Sequence, residues 1–303
     1  MRDLRLIAAL RWQQFREDAV YWLRTVGYEP GNHSFSQRIY VLYLLLIGLF
    51  WIGSMLSWGY EQATFFGRLF TPDALAGWLA ALPWVVLLIQ IMALALALRT
   101  TPLKLSFPDI AYVVGSPVER SAPVIFGYLR QTLTRGLLLG ALAALVGVLL
   151  VTPVDFAGRG MAALRGFGAA VVLVVLTWAL AWLLGVLRLI YPGLRDWRYL
   201  WLLPLALLPI AYVVPGVLLW PGRTLLLVIY GASPGWLPLL LLLGAGLMLV
   251  ALLFRISDRV NMMHAADESI TYARIKALGL MAWRDPRVQL RIYGQTARAK
   301  RRA

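Results

Sequence analysis

The chain has 303 residues and no cysteine, 61% of its residues are hydrophobic, and 29 Lys and Arg stand against 14 Asp and Glu. The lack of Cys excludes disulfides and thiol chemistry. A net charge of +15 occurs in nucleic-acid-binding proteins and in membrane proteins with basic loops. Here the distribution of the charges favours the membrane class, so no nucleic acid partner is expected.

Residues 1–37 predict an amphipathic helix ahead of the apolar part of the chain. Leu4, Ala8 and Trp12 follow a three-four spacing that places them along one helix face. The arginines lie mostly off this face, and Trp together with Arg favours a helix in the head-group plane on the cytoplasmic side. A soluble helix packed on a cytoplasmic partner is the alternative.

Six stretches of at least 19 residues then follow without one charged side chain. They are Ile39–Tyr60, Ala74–Leu98, Gly136–Val154, Gly166–Leu187, Tyr199–Gly222 and Thr224–Phe254. About 20 apolar residues suffice for a helix to cross the hydrocarbon core, and a charge at its centre costs about 2.5–3.5 kcal/mol. We therefore predict an all-α polytopic membrane protein whose transmembrane domain covers residues 38–255. The six predicted transmembrane helices are residues 39–60, 76–98, 134–154, 166–188, 198–213 and 236–255.

The basic residues predict which ends of these helices face the cytoplasm. Of the 29, 25 lie before the first run, between runs two and three, between runs four and five, and after run six. Cytoplasmic loops collect Lys and Arg, so both chain ends of this multi-pass protein are predicted to be cytoplasmic. Only Arg68, Arg159, Arg165 and Arg223 remain for the outer side. Arg far outnumbers Lys, as in GC-rich bacterial genomes, so the expected location is the bacterial inner membrane.

Residues 100–122, between the second and third spans, carry a helix-start signal. Ser106 is suited to cap a helix that has Pro108 and Asp109 in its first turn. Apolar side chains follow at Ile110, Tyr112, Val113 and Val114, and the helix ends at Gly115, Ser116 and Pro117. A short apolar helix held outside the bilayer suits a groove on a partner. A short interfacial helix with its tyrosine at the head groups is the alternative.

The last part of the transmembrane domain is interrupted by turn residues. Pro204 and Pro209 are expected to kink the fifth span, and the turn Gly231–Gly235 separates it from the sixth. Residues 213–234 are therefore predicted to form a short re-entrant hairpin on the outer side, with a looser fifth span and an ordinary loop as the alternative. Residues 256–303 form a basic cytoplasmic tail that begins with a helix near residue 262.

The residue types argue against a catalytic site or a metal site within the chain. Gly231–Gly235 matches the G-x-S-x-G pattern, but a nucleophile at Ser233 needs a strand-to-helix elbow and a His base. The only histidines, His33 and His264, are predicted on the opposite side, and they have no paired carboxylates to form a metal site. We expect neither a catalytic residue nor a metal ion. Gln90, the most polar residue deep in the second span, is expected to hydrogen-bond a neighbouring helix.

No phosphate-binding G-x-x-x-x-G-K-[ST] loop is present, because none of the lysines follows a glycine in that pattern. If ATP drives this protein, a separate subunit hydrolyses it.

Residues 109–120 resemble a segment of a known family. Asp109, Val113-Val114, Ser116-Pro117-Val118 and Arg120 resemble the "D…LL-S-PVSR" loop of type-2 ABC exporter permeases. That loop likewise follows the second span, and the family also shares the cytoplasmic helix, the six spans and the outer hairpin.

The resemblance implies a mechanism and a set of partners. In the family, two permeases, identical or homologous, pair with ABC ATPase subunits that bind ATP and Mg, and ATP-driven closure moves a short coupling helix. Transferred to this chain, that helix comprises Pro108, Asp109, Tyr112, Val113 and Val114, with Ser116 and Pro117 after it and Arg120 at its exit. Spans one, two and five line the family's path, which implies Gln90, Pro204 and Pro209 as lining residues. A hydrophobic or amphipathic substrate is expected. A non-transporting membrane scaffold or assembly factor is the alternative function.

Overall fold

A computed structural model describes residues 2–25, 35–105, 110, 119–191, 193–194 and 199–270. Over these residues the chain is helical and forms no strand. The helices are α1 (Arg2–Thr25), α2 (Phe35–Arg68), α3 (Pro72–Arg99), α4 (Ser121–Val151), α5 (Arg159–Ile190), α6 (Leu207–Val213), α7 (Pro215–Leu218), α8 (Trp220–Ile229), α9 (Trp236–Ser257) and α10 (262–270). Two 3-10 helices, Leu200–Ala206 and Ser233–Gly235, precede α6 and α9.

Five of these helices, α2, α3, α4, α5 and α9, are long and apolar enough to cross a membrane. The prediction of an all-α membrane protein is thus confirmed, and each of the five contains most of one predicted span. The predicted fifth span has no single helix of comparable length. A seven-residue 3-10 helix and the seven-residue α6 cover it. The prolines explain the break, because Pro204 and Pro209 lack the N–H that a continuous α-helix requires.

Close backbone packing joins α4 to α5. A Cβ atom built on Gly166 would lie 2.6 Å from the carbonyl oxygen of Ala143, and one on Gly147 would lie 2.7 Å from that of Ala162. Neither space admits a methyl group, so the two backbones touch through glycine. This contact makes α4 and α5 the most extensively packed pair of helices in the described chain.

Contacts between helices show which of their ends lie together. Gly59 of α2 lies nearest Leu145 of α4, and Gly67 nearest Leu149, so α2 and α4 run in the same direction. At the opposite end, Gly185 of α5 approaches the carbonyl of Ala97, near the end of α3. We call the ends of the bundle the Arg68 end, where α2 and α4 finish, and the Arg99 end, where α3, α5 and α9 finish and α4 begins.

The chain between α5 and α9 leads from the Arg99 end to the Arg68 end along α3. Ala211 and Leu219 pack together against Leu87 and Ile91 in the middle of α3. Further along, α8 approaches the Arg68 end, where the Tyr230 hydroxyl donates to the Leu150 carbonyl at 3.1 Å. Much of 213–234, the segment predicted to form a hairpin, is helical and belongs to α7 and α8. The re-entrant path itself stays a prediction.

Candidate functional site

The residues predicted to form the coupling helix fall largely outside the described part of the chain. This applies to Pro108, Asp109, Tyr112, Val113, Val114, Ser116 and Pro117. The structure does describe both arms of the loop. Residues 101–105 lead away from α3, and Arg120, which is exposed, occupies the position just before α4.

Both arms of the loop are anchored in the core at the Arg99 end. Leu103 and Leu105 are only 4% and 3% exposed, and Ile110 packs against the same cluster of buried side chains. Val124, in the first turn of α4, belongs to it as well, together with residues of α5 and α9. Burial of these side chains contributes about 1.5–3 kcal/mol each. The loop therefore leaves and re-enters the bundle at fixed points.

The helix α10 reinforces the first arm through hydrogen bonds. Ser269 Oγ lies 2.9 Å from the Leu103 carbonyl oxygen and accepts from the Leu105 N–H at 3.3 Å. In addition, Arg188 of α5 forms a 2.9 Å salt bridge to Glu268, and both side chains are largely buried. The helix α10 belongs to the predicted cytoplasmic tail, and the contact between α10 and the loop was not predicted.

One sequence signal did mark the start of α10. Asn261 Oδ1 accepts hydrogen bonds from the backbone N–H groups of Met263 and His264, at 3.1 and 3.4 Å. This is an N-cap, which the Asn preceding an apolar pair indicates. Nothing in the local sequence indicates where the capped helix docks.

A polar cavity of about 100 Å³ lies beside the loop, between α3, α4 and α5. Its polar lining residues are Thr100, Thr101, Lys104, Gln131 and Arg135. The indole N–H of Trp182 donates to Gln131 Oε1 at 2.7 Å. The guanidinium carbon of Arg135 lies 4.9 Å from the centre of the Trp178 ring, a cation–π contact. Two basic side chains thus line a partly enclosed space at the Arg99 end.

A second, apolar cavity of about 300 Å³ lies between α3, α4, α5 and α8. Gln90 and Thr177 are its polar residues, and they satisfy each other, because Gln90 Nε2 donates to Thr177 Oγ1 at 3.3 Å. The expectation that Gln90 bonds to a neighbouring helix is confirmed. The other two predicted path residues lie elsewhere. Pro204 is buried in the 3-10 helix, Pro209 is exposed on α6, and neither lines this cavity.

Three of the four arginines predicted on the outer side, Arg68, Arg159 and Arg165, lie at the Arg68 end. Arg159 Nε donates to the Tyr60 hydroxyl at 2.8 Å. The guanidinium carbons of Arg159 and Arg68 lie 3.5 and 4.6 Å from the centre of the Phe156 ring. A Cβ on Gly231 would meet the guanidinium of Arg165. These arginines are packed against aromatic rings and a turn at the surface of the bundle.

In the described part of the chain, the residues considered for a serine nucleophile or a metal site are not grouped together. Ser233 is exposed in a short 3-10 helix between α8 and α9, whereas His264 lies in α10 at the Arg99 end. Within the described ranges, no three His, Asp or Glu side chains are grouped so that they could hold a metal ion.

Comparison with known proteins gives no family assignment. The chain matched no family model, no curated protein and no solved structure.

Proposed function

We propose that this chain is the transmembrane permease subunit of an ATP-driven ABC exporter. The observation that carries the proposal is the anchored loop at the Arg99 end. Its sequence resembles the coupling loop of type-2 permeases, and its described arms at Leu103, Leu105 and Ile110 are tied into the bundle core. A loop fixed in this way transmits a force applied to its tip. After Ile110 the loop continues with Tyr112, Val113 and Val114, whose apolar side chains suit a groove on an ATPase subunit.

The proposed permease crosses the membrane six times, and the fifth crossing is a broken helix. The apolar helices Leu202–Val213 and Trp220–Ile229 together measure about 33 Å at 1.5 Å per residue, against a hydrocarbon core of about 30 Å. Their path from the Arg99 end to the Arg68 end supports a crossing. In this arrangement Leu219 and the end of α7, which lie between them, pack on α3 near Leu87, where protein can satisfy backbone groups left free by the break.

Six crossings place both chain ends on the side of the coupling loop, which is the cytoplasmic face of a bacterial inner membrane. The docking of α10 on the loop arm supports this, because it brings the start of the C-terminal tail to the Arg99 end. The chain itself neither binds nor hydrolyses ATP in this proposal. ATP and Mg belong to the partner ATPase.

A second permease, identical or homologous, completes the transporter. The helix α2 supports pairing, since none of its most apolar window is buried in the single chain. It contacts mainly α4, and its outer face carries large side chains such as Phe50 and Trp51, which are 73% and 64% exposed. This exposed face adds to the resemblance, which implies a pair of permeases.

The test is co-purification followed by an ATPase assay. The chain, expressed with the ABC ATPases encoded beside its gene, should retain one of them, and ATP hydrolysis should increase in the complex. Changing both Val113 and Val114 to Asp should abolish the stimulation, because two charges would enter an apolar groove. Val154→Asp, an exposed valine beyond α4 at the Arg68 end, is the control and should leave it unchanged.

Two outcomes would contradict the proposal. If no ATPase chain is retained, the protein is not a permease of this class. If an ATPase is retained but hydrolyses ATP at the same rate with wild type and the double aspartate variant, the chain serves as a membrane scaffold.

A further inference from the structure

The two cavities lie next to each other between α3, α4 and α5 and share Trp178 in their linings, so we treat them as two sections of one crevice. On all three helices the lining changes from apolar to polar in the direction of the Arg99 end. The apolar section is lined by 82–90 of α3, 139–146 of α4 and 170–178 of α5, and the polar section by 93–104, 131–135 and 178–182. Trp178 lines both sections and marks the boundary. An amphipathic crevice of this kind fits an amphipathic molecule.

The length of the crevice matches one leaflet of a bilayer. From Gln131 to Val146 it extends over fifteen residues of α4, or about 22 Å at 1.5 Å per residue. One leaflet contributes about 15 Å of hydrocarbon, with the head groups beyond it. The apolar section of about 300 Å³ is at the lower limit of ligand-binding pockets. It accommodates one acyl chain better than a whole lipid.

The basic side chains of the polar section favour a lipid with an anionic head group. Arg135 and Lys104 line it, and the described lining of either section includes no Asp or Glu. The cation–π contact with Trp178 fixes the guanidinium of Arg135 beside the boundary. The N–H groups of an arginine fork match two oxygens of a phosphate. Basic pockets between transmembrane helices are known to bind acidic lipid head groups.

We propose that this crevice binds one phospholipid with an anionic head group. The phosphate contacts Arg135, and one acyl chain enters the apolar section past Trp178. This inference goes beyond the proposed permease function and needs no ATPase, so the two can fail independently. It shares Gln90 with the predicted path, whereas neither Pro204 nor Pro209 lines the crevice.

Photolabelling of the full chain in vesicles tests the proposal. The vesicles contain equal parts of phosphatidylcholine and phosphatidylglycerol, with a trace of phosphatidylglycerol that carries a diazirine on one acyl chain. Mass spectrometry should locate the label mainly on 82–90, 139–146 and 170–178. Arg135→Gln should reduce it about tenfold, because a charge-assisted hydrogen bond to phosphate is lost. Arg130→Gln, an exposed position on the same helix outside the crevice, should not change it.

A second pair of variants tests the acyl section. Val86→Phe narrows the apolar cavity, which Val86 lines, and should reduce labelling of α4 and α5, whereas Leu88→Phe, which points away from it, should not. Elution profiles and helix content identify any variant that fails to fold. The proposal is overturned if the label spreads evenly over the exposed face of α2, or if Arg135→Gln labels like wild type. It is equally overturned if excess phosphatidylcholine competes as well as phosphatidylglycerol.

Discussion

The contact between α4 and α5 predicts a strong effect from adding a single methyl group. In Gly166→Ala the new Cβ would lie 2.6 Å from the backbone carbonyl oxygen of Ala143, whereas ordinary contact begins near 3.4 Å. Backbone cannot rotate away as a side chain does, so α4 and α5 would have to separate by about 0.8 Å. Overpacking of this kind costs about 1–3 kcal/mol, and the helix propensity of alanine offsets about 0.8–1.0 kcal/mol of it. At this chain length the net loss of up to about 2 kcal/mol corresponds to a fall in Tm of up to about 4 °C.

Gly168→Ala is the matched control for this substitution. It adds the same atom to the same helix, two residues away, where nothing lies within 4 Å of the new Cβ. Its Tm should equal that of wild type or exceed it, since alanine favours helix over glycine by about 0.8–1.0 kcal/mol. Both variants can be measured by thermal unfolding in detergent, followed through the fluorescence of the 13 tryptophans. Equal Tm values for Gly166→Ala and Gly168→Ala would refute the close approach of the two backbones.

Two further predictions concern polar pairs. Thr177→Val should lower the free energy of unfolding by about 0.6 kcal/mol, the average measured for hydrogen bonds inside membranes, where the largest values reach about 1.7 kcal/mol. Combining it with Gln90→Leu should recover most of the loss. A double variant less stable than the single one would show that Gln90 has another role. For the salt bridge of α10, Arg188→Gln and Glu268→Gln should each accelerate proteolysis after residue 257, and the double variant should be no worse than either. Additive effects of the two changes would mean that they do not act through one contact.

The long helices could be predicted from the sequence because the signal is local. An uncharged run of about 20 residues is long enough to cross the hydrocarbon core as a helix. This feature alone predicts α2, α3, α4, α5 and α9. The fifth run carries the same signal, yet Pro204 and Pro209 break it into short helices. The prolines are visible in the sequence, but the packing of these short helices on α3 near Leu87 is not.

The crevice could not be predicted, because it depends on the relative positions of three helices. Arg135 immediately precedes an uncharged run, and by itself it is one of many basic residues near a predicted helix end. Only the structure shows that α4 begins at Ser121, and that Arg135 therefore lies within the helix against Trp178. The docking of Ser269 on Leu103 is of the same kind, since 166 positions separate the two residues.

The crevice and the loop share residues, so the two proposals are physically linked. Thr101, Pro102 and Lys104 line the polar section and also form the first arm of the loop. Trp178 and Trp182 line the crevice and belong to the buried cluster that holds Leu103 and Leu105. A head group bound there contacts the arm that an ATPase would move, and any coupling between the two must be reciprocal.

This linkage makes a prediction about ATP hydrolysis in the assembled complex. Phosphatidylglycerol in the vesicles should change the stimulated rate of wild type and of Arg130→Gln, because the occupied crevice alters the position of the loop arm. In Arg135→Gln the same lipid should have little effect, while the rate in phosphatidylcholine alone stays close to that of wild type. The comparison of rates across lipid compositions separates this effect from a general loss of folding, which would lower the rate in every lipid. An equal response of all three proteins to phosphatidylglycerol would show that the lipid acts elsewhere, and that the crevice and the loop share residues without sharing a function.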